Sequence, residues 1–257
     1  MDKILRTITS DGSLMASAID SSQIVYTAQK IHGLTKTSCA ALGRLLTGAS
    51  LMGNMLKTDG ASLTLKVNGG GPLGNLVAIS DSHGNVRGYV DFPEVELPLK
   101  PNGKIDVGGG VGNQGRLAVI RDLGEGDPYV GQVELVSGEI AEDLTNYYAS
   151  SEQVPTVCAL GVLVDKESGE AMLSGGLLIQ ALPGADNAPW TAWSKISPSW
   201  IPSPPCWPRA WGRKRCAAPR WKASRWKSWT RRRCTMPATA ARSALPGACS
   251  PWAPRSF

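Results

Sequence analysis

Asp127-Pro128-Tyr129-Val130-Gly131-Gln132-Val133-Glu134-Leu135-Val136-Ser137-Gly138-Glu139-Ile140-Ala141-Glu142-Asp143 holds a strand, a turn and the start of a helix in one short run. Tyr129 to Val136 is an apolar run broken by polar residues, the pattern of a strand with one face buried. Ser137-Gly138 ends it. Ile140 to Ser150 then takes helical spacing, with Glu139, Glu142 and Asp143 read as a solvated helix start whose free amides favour acids. Strand and helix follow each other within a few residues here, which sets the α+β pattern for the rest.

Working outward, the same grammar covers residues 1–188. Ile4 to Thr9, the turn Ser10-Asp11-Gly12 and Leu14 to Ile19 predict a hairpin. From Thr37 to Lys57, Leu42, Leu45, Leu46, Ala49, Met52 and Leu56 recur at helical spacing, with Thr37 or Ser38 able to act as N-cap. Ala61 to Val67, Leu76 to Ser80, Val86 to Val90 and Arg116 to Ile120 are strands separated by glycine turns. Val157 to Val164 and Met172 to Leu182 return to strand. The expected fold is α+β, with antiparallel sheets and packed helices.

Composition divides the chain in two. Residues 1–188 hold all 21 acids and 13 of the 27 Lys and Arg, a net of −8. Residues 189–257 hold the other 14 bases, no acid, all nine Trp and 11 of the 18 Pro. No apolar run reaches the length of a membrane span, and Met1-Asp2-Lys3-Ile4-Leu5-Arg6 lacks the apolar core of a signal peptide, so no membrane and a cytoplasmic location are expected.

Several short patterns resemble sites. Gly110-Val111-Gly112-Asn113-Gln114-Gly115 fits G-x-G-x-x-G, but that loop binds dinucleotides only between a strand and a helix. Arg116 to Arg121 alternates like a strand, so a glycine hairpin is expected instead. Gly69-Gly70-Gly71-Pro72-Leu73-Gly74 lacks the Lys-Ser/Thr ending of a phosphate loop. His83 lies in the turn composition Asp81-Ser82-His83-Gly84-Asn85, and His32 has no acid and nucleophile beside it. Cys39 and Cys158 read as core fillers. No constellation argues for an enzyme, and no catalytic, cofactor or metal residue is assigned.

Residues 1–187 resemble the heat shock protein 33 family of redox-regulated bacterial holdases. The match is carried by Ala41-Leu42-Gly43-Arg44-Leu45-Leu46, Gly70-Gly71-Pro72-Leu73-Gly74, Val86-Arg87-Gly88-Tyr89-Val90 and the opening stretch Asp127 to Asp143. Ser151-Glu152-Gln153, Gly175-Gly176-Leu177-Leu178-Ile179-Gln180 and Leu182-Pro183-Gly184-Ala185 continue it. The resemblance implies ATP-independent capture of unfolded or misfolded client proteins in the bacterial cytosol, with activation by oxidation and heat. It also implies the fold of the family's N-terminal chaperone domain. In that family a helical linker follows, then a small domain that binds zinc through C-x-C and C-x-x-C. Oxidation to disulfides releases the metal.

This chain has neither motif. Cys206, Cys216, Cys234 and Cys249 are nine or more residues apart, so zinc belongs to the family and none is expected here. Residues 188–257 read instead as the linker and zinc region in a shifted frame. Because Trp and Met have single codons, the shift can be checked. Read from each third base, Cys206-Trp207-Pro208 gives Leu-Ala, and Arg225 to Thr230 allows Val-Glu-Ile-Leu-Asp with Glu and Asp forced. Thr235 to Ala240 allows Tyr-Ala-Cys-Asp-Cys, which contains the missing C-x-C. One base lost at Ala188 would produce this tail, and a C-x-x-C would lie beyond Phe257. Pro198, Pro202, Pro204, Pro205 and Pro208 break helices, so the tail is expected to be disordered.

Three functional expectations follow. The first is a holdase with an uncovered client surface that needs no oxidation, with a homodimer among its partners. The second is a nucleic-acid binder using Lys222 to Lys227 and Arg231-Arg232-Arg233 on phosphates and Trp221, Trp226 and Trp229 on bases. It ranks below the first, because the acidic body and basic tail attract each other. The third is a frameshifted product without function.

Overall fold

In a computed structural model, residues 2–183 and the backbone of 226–234 are described. The order is β1 (Asp2–Thr9), β2 (Leu14–Asp20), α1 (Ser22–His32), α2 (Lys36–Gly53), β3 (Ser62–Asn68), β4 (Leu76–Asp81) and β5 (Val86–Val90). Then come α3 (Val107–Val111), β6 (Arg116–Asp122), β7 (Tyr129–Glu134), α4 (Ala141–Ser150), β8 (Thr156–Val164), β9 (Ala171–Ala181) and β10 (Trp226–Cys234). The strands form two five-stranded sheets, β10-β1-β2-β9-β8 and β5-β4-β3-β6-β7. Every pairing is antiparallel. The α+β expectation holds.

Helix α2 is the middle layer. It packs on β8, β9 and β2 of one sheet and on β4, β5 and β3 of the other. Only Lys36 and Arg44 of its 18 residues escape burial. A helix surrounded this way must be apolar or small wherever it is covered, as Ala41, Leu42, Gly43, Leu45 and Leu46 are, with Arg44 the exception. Its glycines are contact points: a Cβ on Gly43 would meet Val25 at 2.9 Å, and one on Gly48 would meet Leu144 at 2.7 Å. The helix begins one turn-position earlier than expected. Thr35 is the N-cap and makes no side-chain cap bond, while Thr37 and Ser38 are buried inside the helix.

Helix α1 was not legible in the sequence. Its first amides are capped from a distance, since the Asp2 carboxylate on β1 accepts from Gln23 N at 2.9 Å and Ile24 N at 2.6 Å. Ser21, the local N-cap, spends its hydroxyl on Thr47 and Ser174 at 2.8 and 2.9 Å. The left-handed Gly33 (φ 63°) closes the helix.

The expected glycine hairpin at Gly110–Gly115 is corrected. Val107–Val111 is a short helix, capped by Asp106, that feeds β6 through Gly112 to Gly115. Helix before strand is the reverse of the dinucleotide arrangement. The loop instead lies backbone to backbone on the other glycine run, with Gly71 N donating to Val111 O and Gln114 N to Gly69 O, both at 3.0 Å. Only residues without a Cβ allow that approach.

The expected disorder of the tail is corrected at Trp226–Cys234. There the backbone adds an outer strand to the first sheet along β1. Residues 184–225 and 235–257, including Cys206, Cys216, Cys249 and the join at Ala188, lie outside the described residues.

Candidate functional site

Register separates the two faces of the first sheet. Ile4, Ile19, Leu178 and Cys158 belong to the core cluster around α2. Their neighbours along each strand face the other way. Across the sheet these form the rows Leu5–Ala18–Leu177–Ala159 and Thr7–Ala16–Ile179–Val157, with Leu163 opposite Leu173 nearby. Ile179, Ala159 and Ala16 are buried yet stand apart from the core cluster, while Leu5, Ala18, Leu177 and Val157 are partly exposed.

An antiparallel sheet with one face in water alternates apolar with polar residues. These two rows have one hydroxyl, Thr7, among their eight positions, and the next row on the same face, Lys3–Asp20–Gly175–Gly161, carries the charged pair at its β1–β2 end. The outer face of the second sheet is the ordinary case. Its rows run Arg87–Ile79–Thr64–Ile120–Val130 and Tyr89–Val77–Lys66–Ala118–Gln132, mixing charge, amide and hydroxyl with aliphatics. These two rows on the first sheet are therefore apolar where a solvated sheet face would alternate, with Ile179, Ala159 and Ala16 buried. Sequence reading assigned no site residue to them. Their signal was the near-continuous apolar run of Val157 to Val164 and Met172 to Leu182, apolar at both parities.

The residues that resembled chemistry are scattered. His83 is exposed in the β4–β5 turn, its amide bonded to Asp81 Oδ1 at 2.8 Å. His32 ends α1, half-buried with Nε2 unpartnered. Burial holds its imidazole below the ordinary value, although a bond with the Gly88 backbone pulls the other way. Cys39 and Cys158 are buried free thiols, and burial pushes both up to about 12. They are core fillers, as expected.

The acids at the start of α4 are not a solvated cluster, which corrects the expectation for Asp143 and Glu139. Asp143 is 1% exposed and its carboxylate accepts the amides of Val136 at 2.7 Å, Ser137 at 3.1 Å and Ile140 at 2.9 Å. Glu139 bridges Arg44 of α2 and Lys100, each at 2.5 Å. Burial alone would raise its carboxyl, but Lys100 and Arg44 outweigh it and hold it below the ordinary carboxylate range. These contacts fasten the β7–α4 connection to the central helix; they are structural.

Among the described side chains, Cys39 and Cys158 do not form the zinc site that the resemblance implies. Zinc needs thiolates at tetrahedral spacing, whereas Cys39 and Cys158 are buried with raised pKa, and no group of three or more metal-binding side chains occurs among the described residues. Cys234 ends β10 opposite Asp2. No helix among the described residues is long and apolar enough to cross a membrane.

Known proteins share much of this sequence and its fold. A protein named 33 kDa chaperonin from Acetivibrio thermocellus is 51% identical over 187 residues, covering 72% of this chain and 62% of the relative. One of the same name from Clostridioides difficile strain 630 is 46% identical over 186 residues, covering 72% of this chain and 63% of the relative. The crystal structure of a 33 kDa chaperonin (heat shock protein 33 homolog) from Thermotoga maritima superposes with a TM-score of 0.66 at 41% identity. It covers 72% of this chain and 62% of that one. The chain thus spans less than two thirds of the length of these relatives. Residues 2–197 match the family model described as Hsp33 protein, and the chain belongs to that family.

Proposed function

We propose that residues 1–187 are an ATP-independent holdase unit that captures unfolding proteins on the apolar outer face of the first sheet. The two apolar rows across β1, β2, β9 and β8 carry this reading. Family membership and the relatives' printed name, 33 kDa chaperonin, support it. In this reading residues 188–257 stand in place of the family's linker and zinc domain, so capture needs no oxidation. The partners are unfolded or misfolded clients met in the cytoplasm, and the protein acts by binding rather than by catalysis.

Light scattering of thermally unfolding citrate synthase tests it, with the full chain added under reducing conditions and without ATP. Suppression at a few-fold molar excess is expected, unchanged by oxidant or by zinc chelation. Aggregation that proceeds equally with and without the chain, reduced or oxidised, contradicts the reading.

A further inference from the structure

Strand β10 runs antiparallel along the whole of β1, from Cys234 opposite Asp2 to Trp226 opposite Thr9, with one register shift between Arg6 and Thr7. The residue types that the register sets opposite each other are not complementary. Lys3 stands directly opposite Arg233, and like charges so placed disfavour a sheet. Ile4 faces Arg232 and Leu5 faces Arg231. Residues 189–257 contain no acid to set against Lys3 or Arg6. What remains is the main chain: an edge strand presents a row of N–H and C=O groups that any extended segment can satisfy.

We propose that the edge of β1 is a sequence-tolerant docking strand for extended polypeptide, held in cis by Trp226–Cys234 and taken in trans by an extended client segment. This rests on the holdase reading and adds a second mode of capture to it. The two modes adjoin, because Leu5 of β1 opens the apolar row Leu5–Ala18–Leu177–Ala159. A docked segment gains backbone bonds at the edge while its flanking apolar side chains reach the face. Such a site selects for extended, proline-free backbone and is indifferent to charge pattern.

The test uses the full chain and its double variant Arg231→Pro/Arg232→Pro. Prolines at adjacent positions ensure that one removes an amide directed at β1. The probe is a fluorescein-labelled peptide of residues 226–234 carrying Cys234→Ser, followed by anisotropy. Two further peptides have the same side chains but N-methyl groups on the amides of positions 232 and 234 or of positions 231 and 233, all on one side of the register shift. The parent peptide is expected to bind the double variant at least tenfold more tightly than the wild-type chain. One N-methylated peptide is expected to lose at least tenfold and the other to keep its affinity. Equal binding to wild type and variant overturns the proposal, as does equal binding of all three peptides. Citrate synthase scattering on the same samples separates the two readings. Suppression with a negative peptide result overturns the docking edge alone, and no suppression by either chain overturns the holdase reading.

Discussion

The Asp143 carboxylate accepts the backbone amide of Ile140 at 2.9 Å, and Ile140 is held at φ 64°. A β-branched residue rarely adopts that left-handed backbone. Here the buried Ile140 side chain fixes one end of the peptide and the carboxylate fixes the other. Asp143 thereby caps α4 and gathers the β7–α4 connection onto a single group.

Replacing Asp143 by Asn removes the charge and turns a donor toward amides that need acceptors. The loss is expected to be about 2–3 kcal/mol. It is read as a lower urea midpoint at unchanged slope. A midpoint equal to wild type contradicts the role given to Asp143.

Gly71→Ala is expected to destabilise by about 1–3 kcal/mol through overpacking. A Cβ at Gly71 would fall within van der Waals contact of Gly110 O and of Val111 C. Both are backbone atoms, so relief requires moving α3 away from the 69–74 loop. Thermal unfolding of Gly71→Ala beside wild type decides it, and an unshifted midpoint contradicts the close approach.

How much of this was legible in the sequence varied with where the cause lay. Strands with local alternation and glycine turns, such as β3, β4 and β5, were read from neighbouring residues alone. Helix α1 was missed because its cap comes from Asp2, on another element. Asp143 was misread because composition shows an acid at a helix start but not the four-residue loop folded over it. The apolar outer face was present in the sequence as Leu177, Ile179 and Val157. Its meaning required the register that sets them beside Leu5, Ala18 and Ala16. Strand β10 gave no signal, since Trp226–Cys234 has little alternation and pairs through its backbone.

His32 gives the stability a pH dependence. Burial holds its folded value below the ordinary 6.5, so the unfolded chain takes up the proton first as pH falls. Its contribution is therefore complete above 6.5 and is lost as pH falls from there toward the folded value. Urea midpoints at about pH 7.5 and about pH 5.5 are expected to differ less in His32→Gln than in wild type. An identical difference in both chains contradicts this.

The thiols of Cys39 and Cys158 are expected to resist alkylation in the folded chain, because burial holds both near 12. Iodoacetamide followed by peptide mass spectrometry should modify neither natively and both in urea. Native modification of either one contradicts the core placement.

The most direct test of the client surface is site-specific photo-crosslinking. Benzoylphenylalanine is placed at Leu177, on the apolar outer face of the first sheet, or at Lys66, on the mixed face of the second. Each chain is irradiated with thermally unfolding citrate synthase under reducing conditions. Crosslinks at Leu177 and few or none at Lys66 are expected. Equal crosslinking at both positions, or crosslinking at Lys66 alone, would contradict the assignment of that face to client capture.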